Sequence, residues 1–453
     1  LKKEKKINLN LKKIIIKKPK SNFLLIFSSI IFSFLVFFIV KLQKKINLKK
    51  NFSGITLLDT YLDTKIDVKD FVFSNLMKNL KPKQKNEIIF VPNFLFNKNI
   101  FSLYRNIKTL SLKNYLFKEH YITLNEFLGS IKYNLFGHTQ FKGKNFKNFD
   151  KLNISPLLLK ELASKTNFYS ELQSRLKLKF ILNLSTSNIK IKKVICRFEN
   201  QSVDRAWNYG FKKYFPFLET LGYQDFLYYP HLSNQSPTKY ESRAKIIPEK
   251  IIVTGKTVKK NRVEFNKNQK IVIGPSLNKQ NIFSNSRCKS SHKFVLALCG
   301  IKPLDELMIS WIYFVLKTNK KLKVIIKPHP ILPLNKIENF RYEYLSDQII
   351  INNMDIARLL KLTEVLITSG PTSVMYESIM YGCKLFYLFL DPYDLILKKK
   401  IKISKKIFIF INDKTDLLKN LNNHLKEKHV KKNFKAVEDY YTKINKKNIK
   451  LFY

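Results

Sequence analysis

Arginine is scarce in this chain of 453 residues: it supplies nine of the 84 basic residues, against 33 acidic ones. The remaining 75 are lysine, and they come with the abundant Asn, Ile and Phe that an AT-rich genome writes. A nucleic-acid reader concentrates arginine and basic charge on one face. Lysine spread along the whole chain argues against that class, and no nucleic-acid partner is expected. A net charge of +51 suits acidic lipid headgroups better, because they attract lysine without special geometry. Cysteine is rare as well. Cys196, Cys288, Cys299 and Cys383 show no CxxC or Cys/His spacing, which offers no metal site and suits a reducing cytosol. Most lie in or near an apolar strand, where Cys acts as a small hydrophobe. No short-period repeat is visible.

What is present is enough apolar material for two to three domains, with 45% hydrophobic residues. Phe23 to Val40 is apolar apart from three serines, about the minimum length of a spanning helix. Lys12, Lys13, Lys17, Lys18 and Lys20 precede it and Lys41, Lys44 and Lys45 follow. The following Lys-Leu-Gln-Lys-Lys is not a signal-peptidase site. An interfacial helix is expected, with a true span and a plain core helix as alternatives. The first residue is Leu1 rather than Met, which points to a start further upstream.

Apolar runs then alternate with helical periodicity. Strands are predicted at Gly54–Asp59, at Glu87–Val91 closed by Pro92, at Val194–Glu199, at Asp225–Pro230 and at Ile251–Gly255. Helices are predicted at Val72–Leu80, across much of 102–184, and at Val203–Leu221. Residues 256–270 read as a charged linker without apolar rhythm. Beyond it, strands are expected at Ile271–Ile273, Phe294–Cys299, Val324–Ile326, Gln348–Ile351, Val365–Thr368, Leu385–Leu388 and Ile407–Phe410. Helices between them include Leu304–Thr318 and Ile356–Lys361, and the lysine-rich tail 415–448 reads as helical. The organisation is an arm with an apolar helix at 1–50, a first β/α lobe with a helical insertion at 51–256, and a second β/α lobe at 257–453.

Two motifs carry chemistry. Lys327-Pro328-His329-Pro330 ends a buried strand in a turn that its prolines stiffen, holding one cation and one imidazole in place. Thr368-Ser369-Gly370-Pro371-Thr372-Ser373 ends another strand where a helix, Ser373–Met380, begins. Free N–H groups at a helix start, with small hydroxyls, suit an anion. Gly370 permits close approach, and Glu377 is placed where its carboxylate reaches a ribose hydroxyl. Each motif also has a plain reading, as a capped turn and an ordinary N-cap. Strands presenting such groups from their C-terminal ends form the crevice where α/β sheets bind nucleotides. Asp391-Pro392-Tyr393-Asp394 fits a turn better than a metal site.

In this order the residues resemble the C-terminal lobe of GT-B glycosyltransferases that build bacterial surface carbohydrate. They are similar to relatives using CMP- or CDP-linked donors, namely sialyltransferase-like enzymes and the polyol-phosphate transferases of teichoic acid synthesis. The surface-carbohydrate (O-antigen and capsule) biosynthesis proteins resemble the chain most, with a Glu-Asn-Gln after a strand and a Pro-His-Ser-like turn one βα unit later. Here these are Glu199-Asn200-Gln201 and Pro230-His231-Leu232-Ser233. The chain departs in having Gly-Pro between the loop hydroxyls and no paired acids followed by Gly in its first half.

The resemblance implies an α/β, GT-B-like fold with two Rossmann-like lobes facing across a cleft. It assigns the donor nucleotide to His329, Ser369, Thr372 and Ser373, with Lys327, Gly370 and Glu377 beside them. Lys327 would screen phosphate charge, so no metal or other cofactor is expected. Glu199 is the candidate general base for an acceptor hydroxyl and His231 its rival, unless both cap local structure. The expected activity is transfer of a sugar from a nucleotide-activated donor to a surface polysaccharide, such as capsule or lipopolysaccharide O-antigen, or to a lipid-linked glycan. The place expected for it is the cytoplasmic face of the inner membrane, held peripherally or by one N-terminal segment. The alternative is a non-catalytic assembly or scaffold protein of the same machinery.

Overall fold

A computed structural model of the chain describes residues 23–46, 54–62, 72–95, 99–141, 155–226, 235–283, 292–337, 347–370, 372–391, 394–400, 403–426 and 439–453. Cys288 and His231 lie outside them, as does most of the strand expected at Asp225–Pro230. Two parallel sheets of six strands organise these residues, each sheet carrying helices.

The first sheet comprises β1 (Ile55–Leu62), β2 (Ile88–Phe94), β3 (Ile191–Arg197), β4 (Glu219–Gln224), β5 (Lys250–Val253) and β6 (Lys270–Ile273), in the order β2-β1-β3-β4-β5-β6. Most residues of its inner strands are buried, as a parallel sheet requires, although β1 carries Asp59 and β4 carries Gly222. β2 runs through Pro92, which the sequence suggested would close it. The strand lies at the sheet edge, and beyond β1 it meets only a bridge from Phe90 to Tyr115 among the described residues, so a missing N–H at Pro92 on its outer side is tolerated.

Two other expectations are corrected. The helix expected at Val203–Leu221 stops at Tyr214, and the next strand is Glu219–Gln224. Pro216 cannot continue the helix, and the apolar residues Leu218, Leu221 and Tyr223 belong to the turn and strand. Residues 256–270 are not a plain linker, since Lys256–Phe265 is helical. Its buried side is Val258 with Arg262, whose guanidinium donates to Ser236 Oγ at 2.7 Å; a buried arginine hides that stripe from hydropathy.

The second sheet comprises β7 (His292–Ala297), β8 (Val324–Lys327), β9 (Ile349–Ile351), β10 (Thr363–Thr368), β11 (Lys384–Leu388) and β12 (Phe408–Ile411). Its order, β12-β11-β10-β7-β8-β9, is the doubly wound order of a dinucleotide-binding fold, with the reversal between β7 and β10. All five neighbouring pairs are parallel. Phe294, Leu296, Ile326 and Ile367 from the strands pack on Met308, Ile312 and Val315 of the helix Lys302–Thr318 and on Leu417 and Leu421 of the helix Lys414–Lys426. The tail is not one helix: after 427–438, outside the described residues, 439–447 is non-helical, with Tyr440 against Tyr376 at 4.4 Å between ring centroids.

The residues divide into two compact units. One holds 1–223, 237–251 and 452–453, the other 224–236 and 252–451. The architecture is thus two Rossmann-like lobes of the GT-B-like type, with one apolar helix, Phe23–Lys41, near the N-terminus.

Candidate active site

In the second lobe, three loops leave the C-terminal ends of β7, β8 and β10 at the switch point. The β7 loop, Cys299-Gly300-Ile301, is folded back by Asp305, whose carboxylate accepts from the N–H groups of Cys299 (2.8 Å) and Gly300 (2.9 Å). Burial pushes the Cys299 thiol up to about 12, so it stays a thiol at neutral pH. Gly300 has φ +81°, and a Cβ there would lie 2.4 Å from His329 Nδ1. The backbone of one loop therefore presses on the imidazole of the next, which only glycine allows. Gly370, with φ +73°, closes the third side, its Cβ position 3.2 Å from both Cys299 Sγ and Leu304 Cδ1.

Lys327 and His329 stand half-buried on the β8 turn. His329 Nδ1 accepts from the Ile331 N–H at 3.3 Å, which leaves Nε2–H as the ring's donor. Burial lowers the pKa of His329, with Asp305 opposing, and burial likewise lowers that of Lys327. The imidazole is therefore neutral at pH 7.

The hydroxyls of the β10 loop have different partners. Ser369 is fully buried and donates to Leu388 O at 2.7 Å, tying the loop to β11. Thr368 donates to Ala297 O at 2.8 Å in the same way. Thr372 Oγ1 accepts from the Val374 N–H, and Ser373 donates to Glu377 Oε1 at 2.7 Å. The helix itself is Val374–Met380, one residue later than expected. Glu377 is buried, and Lys279 Nζ meets its Oε1 at 2.6 Å; both of its bonds fall on that oxygen. Lys279, from the turn after β6, is a cation that sequence reading passed over. Its partner lies 98 residues away.

In the first lobe, Glu199 follows β3 in a turn that is tightly held. Asp204 Oδ2 accepts from the N–H groups of Glu199 (2.8 Å) and Gln201 (3.1 Å), holding its loop through one oxygen where Asp305 after β7 uses both. Asn200 sits at φ +59°, in the left-handed region, fixed by Glu241 and Arg205. Both Glu199 oxygens are engaged, Oε1 by Arg197 (2.8 Å) and Oε2 by Gln201 Nε2 (2.8 Å). Beside this turn, starting at Ser202, lies a cavity of about 370 Å3 lined by Tyr133, Arg175, Arg205 and Tyr209.

Behind it runs a buried polar network that sequence reading missed. Asp59, in the middle of β1, is bonded by Lys177 Nζ at 2.8 Å to each oxygen and by Asn93 Nδ2 at 2.7 Å, all inside the lobe. Tyr61 donates to Asp204 Oδ1 at 3.1 Å. The available signal was the acid closing the run Gly54–Asp59 that reads as a strand, since a buried acid demands a partner. Among the described residues, no three His, Cys, Asp or Glu side chains cluster as metal ligands would.

No family model and no curated protein matches the sequence. Among solved structures, the chain is similar to Arabidopsis thaliana UGT89C1 complexed with UDP, with 9% identity over 82% of this chain and 91% of that one and a TM-score of 0.47. It is also similar to Acinetobacter baumannii MurG, with 9% identity, 82% and 91% covered and a TM-score of 0.42. An alpha,alpha-trehalose-phosphate synthase (UDP-forming) from Burkholderia xenovorans matches at 8% identity, 85% and 95% covered and a TM-score of 0.42.

Proposed function

We propose that the chain is a nucleotide-sugar-dependent glycosyltransferase of the metal-independent GT-B type. Its acceptor is a surface polysaccharide or lipid-linked glycan at the cytoplasmic face of the inner membrane. One observation carries the reading: the loops after β7, β8 and β10 pack on one another at the switch point of the second sheet, Gly300 against His329 and Gly370 against Cys299. Such a crevice is where open α/β sheets hold nucleotides.

In this reading Lys327 offsets the phosphate charge that grows as the nucleotide leaves, and His329 Nε2–H donates to a phosphate oxygen. Thr372 adds a hydroxyl donor, Ser373 adds another once it releases Glu377 Oε1, and Glu377 has Oε2 for a ribose hydroxyl. The acceptor lies in the first lobe, where Glu199 takes its proton as the acceptor oxygen bonds to the anomeric carbon. The bond to the departing phosphate breaks with its electron pair staying on the nucleotide. Glu199 must first release Gln201, so His231 remains the rival base.

Calorimetry of the full chain with CMP, CDP, UDP and GDP tests this. One nucleotide should bind selectively, and replacing Thr372 and Ser373 together by Ala should weaken it by roughly ten- to hundredfold per lost bond to phosphate. No response to any nucleotide favours the scaffold alternative instead.

A further inference from the structure

The helix Phe23–Lys41 has no charged residue before its last position, so it is apolar all round. A helix of that kind is enclosed by protein on every side or meets lipid. Among the described residues, protein encloses one side only. Phe32, Val36, Phe37 and Val40 are buried on the first lobe, with the Phe37 ring 4.7 Å from that of Phe127 and Phe32 5.8 Å from Tyr169. Leu24, Phe27, Phe38 and Leu42, spaced to share the opposite stripe, are exposed.

The neighbouring helix, Ile100–Ser111, packs against the first and repeats the pattern. Its inner side is Leu103, Ile107 and Leu110, while Phe101 (89% exposed), Tyr104 and Leu112 (83%) lie along its outer stripe. Lysines border both stripes: Lys41 and Lys44 at the end of the first, Lys108 within the second.

We infer that these two helices form one in-plane docking face for an anionic bilayer, and that Phe23–Lys41 does not span it. A span would strip Phe127 and Tyr169 of their cover and leave Phe101 and Leu112 in water. Lying flat, the outer stripes sink to the headgroup–acyl boundary while the lysines meet acidic headgroups, as interfacial helices do. The inference rests on the membrane half of the proposed function and is independent of the transfer chemistry.

Flotation of the full chain with phosphatidylglycerol–phosphatidylcholine vesicles, and with phosphatidylcholine alone, tests it. Binding should need the anionic lipid, weaken in high salt, and be released by alkaline carbonate. The pair Phe101→Ser and Leu112→Ser, both outside the spanning candidate, should weaken it by roughly tenfold or more. If that pair does not fold, Lys41→Glu with Lys44→Glu reads the same face and should weaken binding in its place. Retention through carbonate, unchanged binding in a folded variant, or a self-associated particle that ignores vesicles each overturns the inference. Nucleotide affinity measured on the same preparation keeps its failure distinct from that of the transferase reading.

Discussion

Asp204 is fully buried, and among the described residues its oxygens are bonded by a tyrosine hydroxyl and two backbone N–H groups and by no cation. Burial lifts its pKa to about 7, with Asp59 adding to the effect and Lys177 opposing it. An acid raised in this way keeps its proton in the folded chain after the unfolded chain has lost it near pH ~4. Its contribution to stability therefore falls as pH rises from about 4 to about 7 and is level above that. Urea unfolding should show Asp204→Asn gaining on the wild type across this window; a flat difference would mean that Asp204 is ionised throughout. Glu199 asks a kinetic question instead. Glu199→Gln should bind donor almost normally yet lose roughly a hundred- to ten-thousandfold in turnover, read from initial rates beside nucleotide calorimetry. Normal turnover would move the base elsewhere, with His231 the next residue to replace. Lys327, His329 and the Thr372–Ser373 pair were legible because prolines and small residues mark their turns locally. Asp59 and Lys177 were not, since 118 residues separate them and only folding brings the helix Phe168–Ser185, which carries Lys177, to β1.

At the scale of elements, strands whose pattern is local were readable, and those shaped by contact from elsewhere were not. Val365–Thr368 and Leu385–Leu388 stood out as apolar runs that stop at polar turns. Glu219–Gln224 did not, because Gly222 in its middle looks like a break. That glycine lies where a Cβ would come within 2.8 Å of Phe198 and 2.6 Å of Pro248, so packing, not flexibility, selects it. The loop after β7 gives a sharper case. Gly300→Ala puts a methyl group onto a His329 ring held by two prolines, in a conformation costing roughly 1–2 kcal/mol for any L side chain. The variant should unfold at lower denaturant and bind nucleotide more weakly, whereas Gly129→Ala, with open space at its Cβ, should do neither. Equal behaviour of the two would detach the β7 loop from the donor site.

On the scale of the whole molecule, each unit is built mainly on one parallel sheet, with β6 of the first sheet falling in the second unit, and the chain does not finish one unit before starting the other. Phe452 is fully buried in the first lobe, 5.4 Å from Tyr223 and 6.3 Å from Phe73 between ring centroids, and Lys193 donates to Tyr453 O. Phe452→Ala should cost about 3–5 kcal/mol. Hydrogen exchange should locate that loss in the first lobe, around Phe73 and Tyr223. Loss confined to the second lobe would contradict this packing.

That return of the chain also sets an order of events during synthesis. Residues 252–451 leave the ribosome between the body of the first lobe and the aromatic ring that fills its wall. The first lobe therefore waits, with Phe73 and Tyr223 uncovered, while the whole second lobe is made. A ribosome that stalls anywhere in that stretch releases a product with an open apolar notch, the kind of surface that chaperones and proteases bind. Phe452 thus serves as a late seal, reporting from inside the first lobe that the second has been made.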